Sequence, residues 1–342
     1  MKFFFGWYRY LFLQSAKKRN YQNNSFQIFF AAIFAKPFVF VCLFIFSCAT
    51  GQNAPDLTPE RKLSLYPSLY HLPVYERVAS PPEHLLKYIK YLDAREDYRA
   101  YIPDKSVSQQ MKQIIQKLPP LNIRALEEGV SAIYFIENFM GSGMTDWLID
   151  DNGKIHTYVI LNPDVLRMNM SELLTKKEQS AFVHGLQTVS ITPDGSSLLY
   201  ILLHESVHVA DYIYRITDCV EFTVCSFQNR MSVMPDFGID VWKTGIQPVS
   251  SYSFTGKVSF YGLGNKYSGD VHRVYSDLLT SPFVSLYSSL SRTEDIAELL
   301  TFYHLTYILK KKYAIRLDNK EFFPADNPVV KKRLAKIKIF YQ

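Results

Sequence analysis

The sequence predicts an α+β fold with two lobes, on the basis of three patterns. A strand pattern covers residues 130–137, and two further strand patterns, 145–150 and 155–161, flank the turn-forming sequence Asp151-Asn152-Gly153. A long apolar helix pattern follows at residues 198–213, and the second half of the chain is mainly helical, without repeats. We therefore expect a small sheet and the apolar helix in one lobe, a mainly helical second lobe, and a functional site in the cleft between them.

Helical periodicity also predicts the elements around this centre. The predicted helices cover residues 83–95, 107–118, 173–182 and 331–338. Asp194 or Ser196 is expected to cap the start of the apolar helix, since both side chains can accept a hydrogen bond from a free backbone N–H. The last of these helices is predicted to be amphipathic, with a solvated basic face or, as the alternative, a face on a membrane surface.

The first 47 residues have the charge pattern of an export signal. They contain six basic residues and no acidic residue, and a run of ten nearly all apolar residues, 38–47, ends directly before Cys48. Such a run is too short to span a bilayer. The segment Ile45-Phe46-Ser47-Cys48 resembles a bacterial lipoprotein signal, which implies a signal peptide at residues 1–47, a lipid on Cys48 and a lipid-anchored protein of the bacterial cell envelope. An uncleaved anchor helix over residues 28–47 is the alternative.

The charge of the remaining chain bears on its partners. The six basic residues of the leader account for the whole excess of 38 Lys and Arg over 32 Asp and Glu, so the rest of the chain is near neutral. Nucleic acid is therefore not an expected partner. Residues 48–82 are rich in Pro, Ser and Tyr and predict a tether, whereas residues 83–342 predict one folded domain, expected to be monomeric.

Two cysteines follow Cys48 in the sequence. Cys219 and Cys225 lie six residues apart, which in an exported protein favours a small disulfide loop. Free thiols or a metal-binding pair are the alternatives, although two cysteines without a nearby histidine cannot complete a structural zinc site.

The apolar helix contains the sequence His204-Glu205-Ser206-Val207-His208, which has the pattern HExxH. Histidines four residues apart lie on one face of a helix, so both imidazoles can bind one metal ion, and the glutamate between them can act on what that ion binds. The surrounding apolar residues indicate burial, and buried His and Glu side chains need partners, which a metal ion supplies. Two core histidines with ordinary hydrogen bonds are the alternative.

A catalytic zinc ion needs a third protein ligand, and Glu294 is the best candidate. It lies 86 residues after His208, at the start of an apolar helix that is predicted to end near residue 309. Glu298 is on the same helical face, and it either replaces Glu294 as the ligand or hydrogen-bonds a ligand. Asp211 either orients a zinc histidine or lies on the polar side of its helix, and His272 is interpreted as an ordinary loop histidine.

These motifs together resemble the gluzincin metallopeptidases, in particular their lethal-factor-like branch, in which HExxH is followed by a helix of the form ExxAE. Glu294 matches the zinc-binding glutamate of that helix, and Asp211 matches an acidic position of the branch. Tyr287, seven residues before Glu294, matches a tyrosine that assists the oxyanion. The resemblance covers roughly residues 130–310, and an inserted segment, 216–280, accounts for the longer separation of the two helices.

The resemblance implies a zincin-like two-lobed zinc metallopeptidase domain at residues 83–342, with Zn²⁺ as cofactor and polypeptide as substrate. The implied zinc ligands are His204, His208 and Glu294. Glu205 would serve as the general base, and Tyr287 would donate a hydrogen bond to the oxyanion. The predicted strand at residues 155–161 is expected to lie at the sheet edge and to pair with an extended substrate.

Two other functions fit the same residues. The first is a catalytically silent surface lipoprotein that keeps a zincin fold as a binding module, although both histidines and the glutamate base of HExxH are present. The second is a zinc amidase that acts on cell-wall peptides. In each case the lipid on Cys48 would place the protein on a membrane.

Overall fold

The computed structural model describes residues 58–183, 189–218, 222–228, 231–262, 264 and 266–342. The predicted signal peptide at 1–47 and the predicted lipidation site Cys48 lie outside the described residues. Within these ranges, no helix is both long enough and apolar enough to cross a membrane.

Both helices and strands are present, and this mixed architecture with a small sheet is compatible with the predicted α+β class. The helices are α1 (Glu83–Asp93), α2 (Lys105–Ile115), α3 (Pro120–Gly129), α4 (Met170–Gln179), α5 (Ser197–Tyr214), α6 (Phe222–Phe227), α7 (Val271–Leu278), α8 (Arg292–Tyr303) and α9 (Pro328–Leu334). The strands are β1 (Val78–Ala79), β2 (Arg99–Tyr101), β3 (Val130–Glu137), β4 (Gly143–Ile149), β5 (Ile155–Leu161), β6 (Val189–Ile191), β7 (Ile315–Leu317) and β8 (Lys320–Phe322). The bounds of β3 and β5 agree with the predicted strands, whereas α3 and the short strands outside the hairpin were not predicted.

The larger sheet has the strand order β1-β3-β5-β4, with β2 also paired to β3. The hairpin β4–β5 is antiparallel, as the Asn-Gly turn predicts, and β5 pairs parallel to β3 on its other side. Strand β5 is therefore internal and is buried at every position. The prediction that residues 155–161 form the substrate-binding edge is wrong, because β4 occupies the edge.

Helix α5 begins after Ser196, whose backbone has the extended conformation of a cap residue but whose side chain makes no capping hydrogen bond. The helix ends where Arg215 adopts a left-handed conformation, with φ of 52°. It packs against the sheet on one side and against α3 and α8 on others. A buried amide group ties two of these helices together, since Asn122 of α3 donates to the Ser206 hydroxyl at 2.7 Å.

The segment before α1 is part of the folded unit, which begins at Thr58. Strand β1 pairs with β3, and Val74 is fully buried. Arg61 forms an ion pair of 2.5 Å with Asp146 of β4, and Arg77 donates to the Val130 carbonyl at 2.8 Å. The predicted boundary between tether and domain at residue 83 is therefore wrong. Residues 48–57 of the predicted tether lie outside the described residues.

The C-terminal part also differs from its prediction. Helix α9 ends at Leu334, and a 3₁₀ turn, Lys336–Tyr341, follows it in place of one amphipathic helix. Arg333, predicted on a solvated face, is buried instead. A second sheet of β6, β7 and β8 is antiparallel and lies apart from the first. Cys225 is disulfide-bonded, whereas Cys219 of the predicted pair lies outside the described residues.

Candidate metal centre

The candidate centre lies where α5 packs against the start of α8. His204 and His208 are one turn apart on α5, and Glu294 is in the first turn of α8. Ser291 caps α8 and accepts a hydrogen bond from the backbone N–H of Glu294 at 3.2 Å. The cap fixes the backbone that carries the third candidate ligand.

Three ligand atoms converge at this point. The Nε2 atom of His204 lies 3.0 Å from Oε2 of Glu294 and 3.2 Å from Nε2 of His208, and His208 Nε2 lies 3.6 Å from the same Glu294 oxygen. In a tetrahedral site with zinc–ligand distances near 2.0–2.1 Å, neighbouring ligand atoms are about 3.3–3.4 Å apart. The residues present therefore fit a zinc ion. They form the one group of this kind found among the described residues.

His204 lies between two carboxylates. Its Nδ1 is 3.0 Å from Oε1 of Glu298, on the side of the ring opposite Glu294. Burial alone would lower the pKa of His204, but Glu294 and Glu298 outweigh it and raise the pKa to about 10. A ring that faces an acceptor at each nitrogen needs two cationic or proton-bearing atoms. A metal ion on Nε2, with a proton kept on Nδ1, satisfies both sides and is the usual arrangement of metal-binding histidines.

Glu298 lies on the Nδ1 side of the His204 ring, whereas Glu294 lies on its Nε2 side. Its Oε1 also accepts from Lys177 at 3.3 Å and from the Tyr200 hydroxyl, and its Oε2 accepts from Ser285 at 2.7 Å. Burial would raise the pKa of Glu298, but Lys177 and His204 lower it to about 2. Glu298 is thus an ionised carboxylate behind His204, and each of the two roles predicted for it stays a prediction.

Glu205 points from α5 toward the edge strand β4. Its Oε2 accepts a hydrogen bond from the Thr145 hydroxyl at 2.8 Å, and only 4% of the residue is exposed. Burial raises the pKa of Glu205 above its usual value, against the opposing effect of the two histidines. Gly143 makes this close approach possible, because a Cβ atom there would lie 2.8 Å from Oε1 of Glu205. A buried carboxylate with a raised pKa next to a metal site is suited to proton transfer.

Tyr287 is brought to the site, as predicted. It begins the 3₁₀ turn Tyr287–Ser289, and its ring centroid lies 6.0 Å from that of His204. Burial and then Glu294 raise the pKa of the Tyr287 phenol well above its usual value, so the phenol keeps its proton. A protonated phenol can donate a hydrogen bond.

Comparisons of this chain with protein-family models, with curated proteins and with solved structures find no match. The gluzincin resemblance of the sequence therefore stays a prediction that rests on short motifs. What bears on function is the convergence of Glu294 with His204 and His208, beside the buried carboxylate of Glu205.

Asp211 does not orient a histidine of the site. Its two oxygens accept from the backbone N–H of Thr217 at 2.7 Å and from the Thr217 hydroxyl at 2.8 Å. These bonds close the turn after α5, so the prediction of a histidine-orienting role for Asp211 is wrong. His272 was predicted to be a loop histidine, but it lies in the first turn of α7, where it pairs with Asp318 at 3.1 Å.

Two residues of the site were missed by the sequence interpretation. Thr145 lies on β4 and hydrogen-bonds Glu205, and Lys177 lies on α4 and contacts Glu298. Lys177 stands in the polar sequence Lys176-Lys177-Glu178, which is typical of an exposed helix. No pattern in the sequence distinguishes the buried lysine from its exposed neighbour, because the difference depends on how α4 packs against α5.

Proposed function

We propose that this protein is a zinc-dependent metallopeptidase with a zincin-like catalytic centre. One observation carries the proposal. The Nε2 atoms of His204 and His208 and an oxygen of Glu294 lie 3.0–3.6 Å from one another, next to the buried carboxylate of Glu205. Core histidines with ordinary hydrogen bonds do not place two ring nitrogens next to each other and next to a carboxylate. The ligand atoms of one cation must lie this close together.

A zinc ion held by these three side chains would supply Lewis acidity and would lower the pKa of a bound water molecule to about 7. Glu205 accepts a proton from the attacking water and then gives it to the nitrogen of the leaving amine. Thr145 holds Glu205 by its Oε2 atom, so the other oxygen, Oε1, is the one free to move the proton. Tyr287 donates a hydrogen bond from its hydroxyl group to the oxyanion of the tetrahedral intermediate.

The edge of the larger sheet supports an extended polypeptide as substrate. The end of β4 is already engaged on its outer side, because Ile149 forms a bridge with Lys62 and the Trp147 carbonyl accepts from Arg61 at 3.0 Å. The first half of β4 starts at Gly143, directly beside Glu205. A peptide that pairs with this first half would pass the candidate metal ligands in an extended form.

The proposal is tested by the metal content and the hydrolytic activity of the purified protein. We expect one zinc ion per chain by elemental analysis, and cleavage of denatured casein that stops with a chelator and returns with zinc. A well-folded protein that stays metal-free after zinc is added would contradict the proposal. Cleavage of cell-wall fragments but not of casein would instead identify a zinc amidase, and zinc without any hydrolysis a binding module.

The site of action is part of the same proposal. Lipidation of Cys48 would hold the enzyme on a membrane of the bacterial cell envelope. Mass spectrometry of the mature N-terminus is expected to find a lipid-modified Cys48, and the Cys48→Ala variant is expected to leave the membrane fraction. An unmodified, intact leader would count against the anchor without affecting the catalytic proposal.

A further inference from the structure

A buried lysine lies next to the candidate metal centre. Lys177 of α4 is 7% exposed, and its Nζ lies 2.8 Å from the Tyr200 hydroxyl and 3.3 Å from Oε1 of Glu298. The same Nζ lies 3.5 Å from the ring centroid of Tyr287. A cation at this distance over an aromatic face is attracted by the ring quadrupole, and the attraction is stronger where water is excluded.

The charge of Lys177 complements the proposed zinc site. A divalent metal ion carries two positive charges, and Glu205, Glu294 and Glu298 carry three negative charges when ionised. Lys177 makes this buried group neutral as a whole, and burying an unbalanced charge is costly. Burial disfavours the ammonium form of Lys177, but Glu298, Tyr261 and Glu294 together outweigh burial, so the pKa of Lys177 lies above its usual value and the charge is retained.

Lys177 also joins two parts of the site that are far apart in the sequence. Through Glu298 it reaches Nδ1 of His204, and through its contact with the ring it reaches Tyr287. Its Nζ has no other carboxylate partner within the described residues. One ammonium group thus touches both the carboxylate next to Nδ1 of a candidate ligand and the proposed oxyanion donor.

We infer that Lys177 is a positioning residue of the candidate metal centre, which holds Glu298 next to Nδ1 of His204 and holds Tyr287 beside the candidate ligands. This inference rests on the proposed function. It differs from a merely structural role, in which Lys177 would only neutralise a buried carboxylate. It also differs from a purely electrostatic role, because removal of a nearby positive charge would by itself tighten the binding of a zinc cation.

The test compares Lys177→Met with Lys176→Met in the full-length protein. Methionine keeps the aliphatic volume of lysine and removes the charge, and Lys176 is the exposed neighbour on the same helix. We expect zinc affinity, measured by competition with a chromophoric chelator, to fall by about 10–100-fold in Lys177→Met. We expect the visible spectrum of the cobalt-substituted protein to change as well. Neither quantity should change in Lys176→Met.

Three outcomes would overturn the inference. Unchanged zinc affinity and an unchanged cobalt spectrum in Lys177→Met, with only a lower unfolding temperature, would show a structural role. Tighter zinc binding would show a purely electrostatic role. A wild-type protein that binds no zinc would overturn this inference and the proposed function together, whereas a zinc-containing, active wild type with an unaffected Lys177→Met variant would overturn the inference alone.

A second variant keeps the test valid if Lys177→Met fails to fold. The double variant Lys177→Met/Glu298→Gln removes both charges of the pair, so neither charge is left buried without its partner. Because Lys177 is inferred to act on the ligand through Glu298, the double variant should bind zinc as weakly as Glu298→Gln alone, and no more weakly. A further tenfold loss in the double variant would contradict this route.

Discussion

Two adjacent residues of α8 face two different buried polar clusters. Asp295 is fully buried and accepts from both terminal nitrogens of Arg333, at 3.0 and 2.5 Å, and from the indole nitrogen of Trp242 at 2.8 Å. Glu294, one position earlier, shares its oxygen with the ring nitrogens of His204 and His208. Both carboxylates lie in the first turn of α8. Asp295 is paired with hydrogen-bond donors, whereas Glu294 lies next to two imidazole nitrogens of the kind that can bind a metal ion.

The difference separates a structural ion cluster from a ligand cluster. Around Asp295 every acceptor faces a donor, because the planar guanidinium of Arg333 matches a carboxylate in two parallel bonds. Around Glu294 the nearest atoms are nitrogens of two imidazoles that face each other at 3.2 Å. The first arrangement is complete as it stands, and the second becomes complete with one cation.

Glu294→Gln should abolish both zinc binding and hydrolysis, because it removes the charged ligand itself. Glu298→Gln is the matched control on the same helical face, and it should weaken zinc binding only about 10–100-fold, as the loss of a partner behind a ligand does. Zinc content by elemental analysis and peptidase rate are the two readouts. If Glu298→Gln lost all zinc while Glu294→Gln kept it, the ligand would be one helical turn away from its proposed position.

Glu205→Gln should keep zinc and fold but lower the turnover rate by about 10²–10⁴-fold, since it removes only the proton-transferring group. Glutamine has nearly the same shape and can still accept the hydrogen bond of Thr145. Metal content and rate therefore dissociate in this variant and fall together in Glu294→Gln. A Glu205→Gln protein with wild-type turnover would exclude Glu205 as the base.

Arg333→Met should lower the free energy of unfolding by about 3–5 kcal/mol, because it leaves Asp295 buried without its cation. The double variant Asp295→Asn/Arg333→Met removes both charges and should recover much of the loss. Urea unfolding monitored by tryptophan fluorescence measures both. Zinc affinity of the folded Arg333→Met protein should stay close to wild type; a loss as large as that in Glu294→Gln would mean that the two clusters are not separate in function.

Glu178 on α4 is another buried carboxylate, and it accepts a hydrogen bond from the Tyr275 hydroxyl at 2.9 Å. The variant Glu178→Gln tests how the ionisation of this group affects stability. Burial raises the pKa of Glu178 to about 7, against the opposing effects of Tyr275 and Lys177, with Glu298 acting in the same direction as burial. The pKa of Glu178 is about 4.5 in the unfolded chain and about 7 in the folded protein. Between these two pH values the folded protein binds more protons at Glu178 than the unfolded chain does, so the free energy of unfolding falls as pH rises.

The expected cost of ionising Glu178 in the folded protein is at most about 3 kcal/mol. Glu178→Gln lacks this cost, so its stability relative to wild type should increase between pH 5 and pH 8. Unfolding in urea at the two pH values measures the change. A constant difference between variant and wild type across this range would show that Glu178 does not titrate there.

Local patterns in the sequence predicted two strands of the larger sheet and the two histidines that share one face of α5. Strands β3 and β5 match their predicted bounds, because alternating or continuous apolar runs bounded by turn residues depend only on near neighbours. The same is true of the spacing that places His204 and His208 on one face of α5, since helical geometry alone sets it. Glu294 was found because a carboxylate at the start of an apolar helix needs a partner.

Contacts between elements that are far apart in the sequence became known only from the tertiary structure. The sequence interpretation did not show that β4 and not β5 is the edge strand, because the choice depends on which strand pairs with β3. It could not show that Lys177 and Arg333 are buried, since lysine and arginine are mostly exposed and their burial here is stabilised by carboxylates more than 35 residues away. Such ion pairs depend on how whole helices pack against one another, and the spacing of residues along the chain does not reveal that packing.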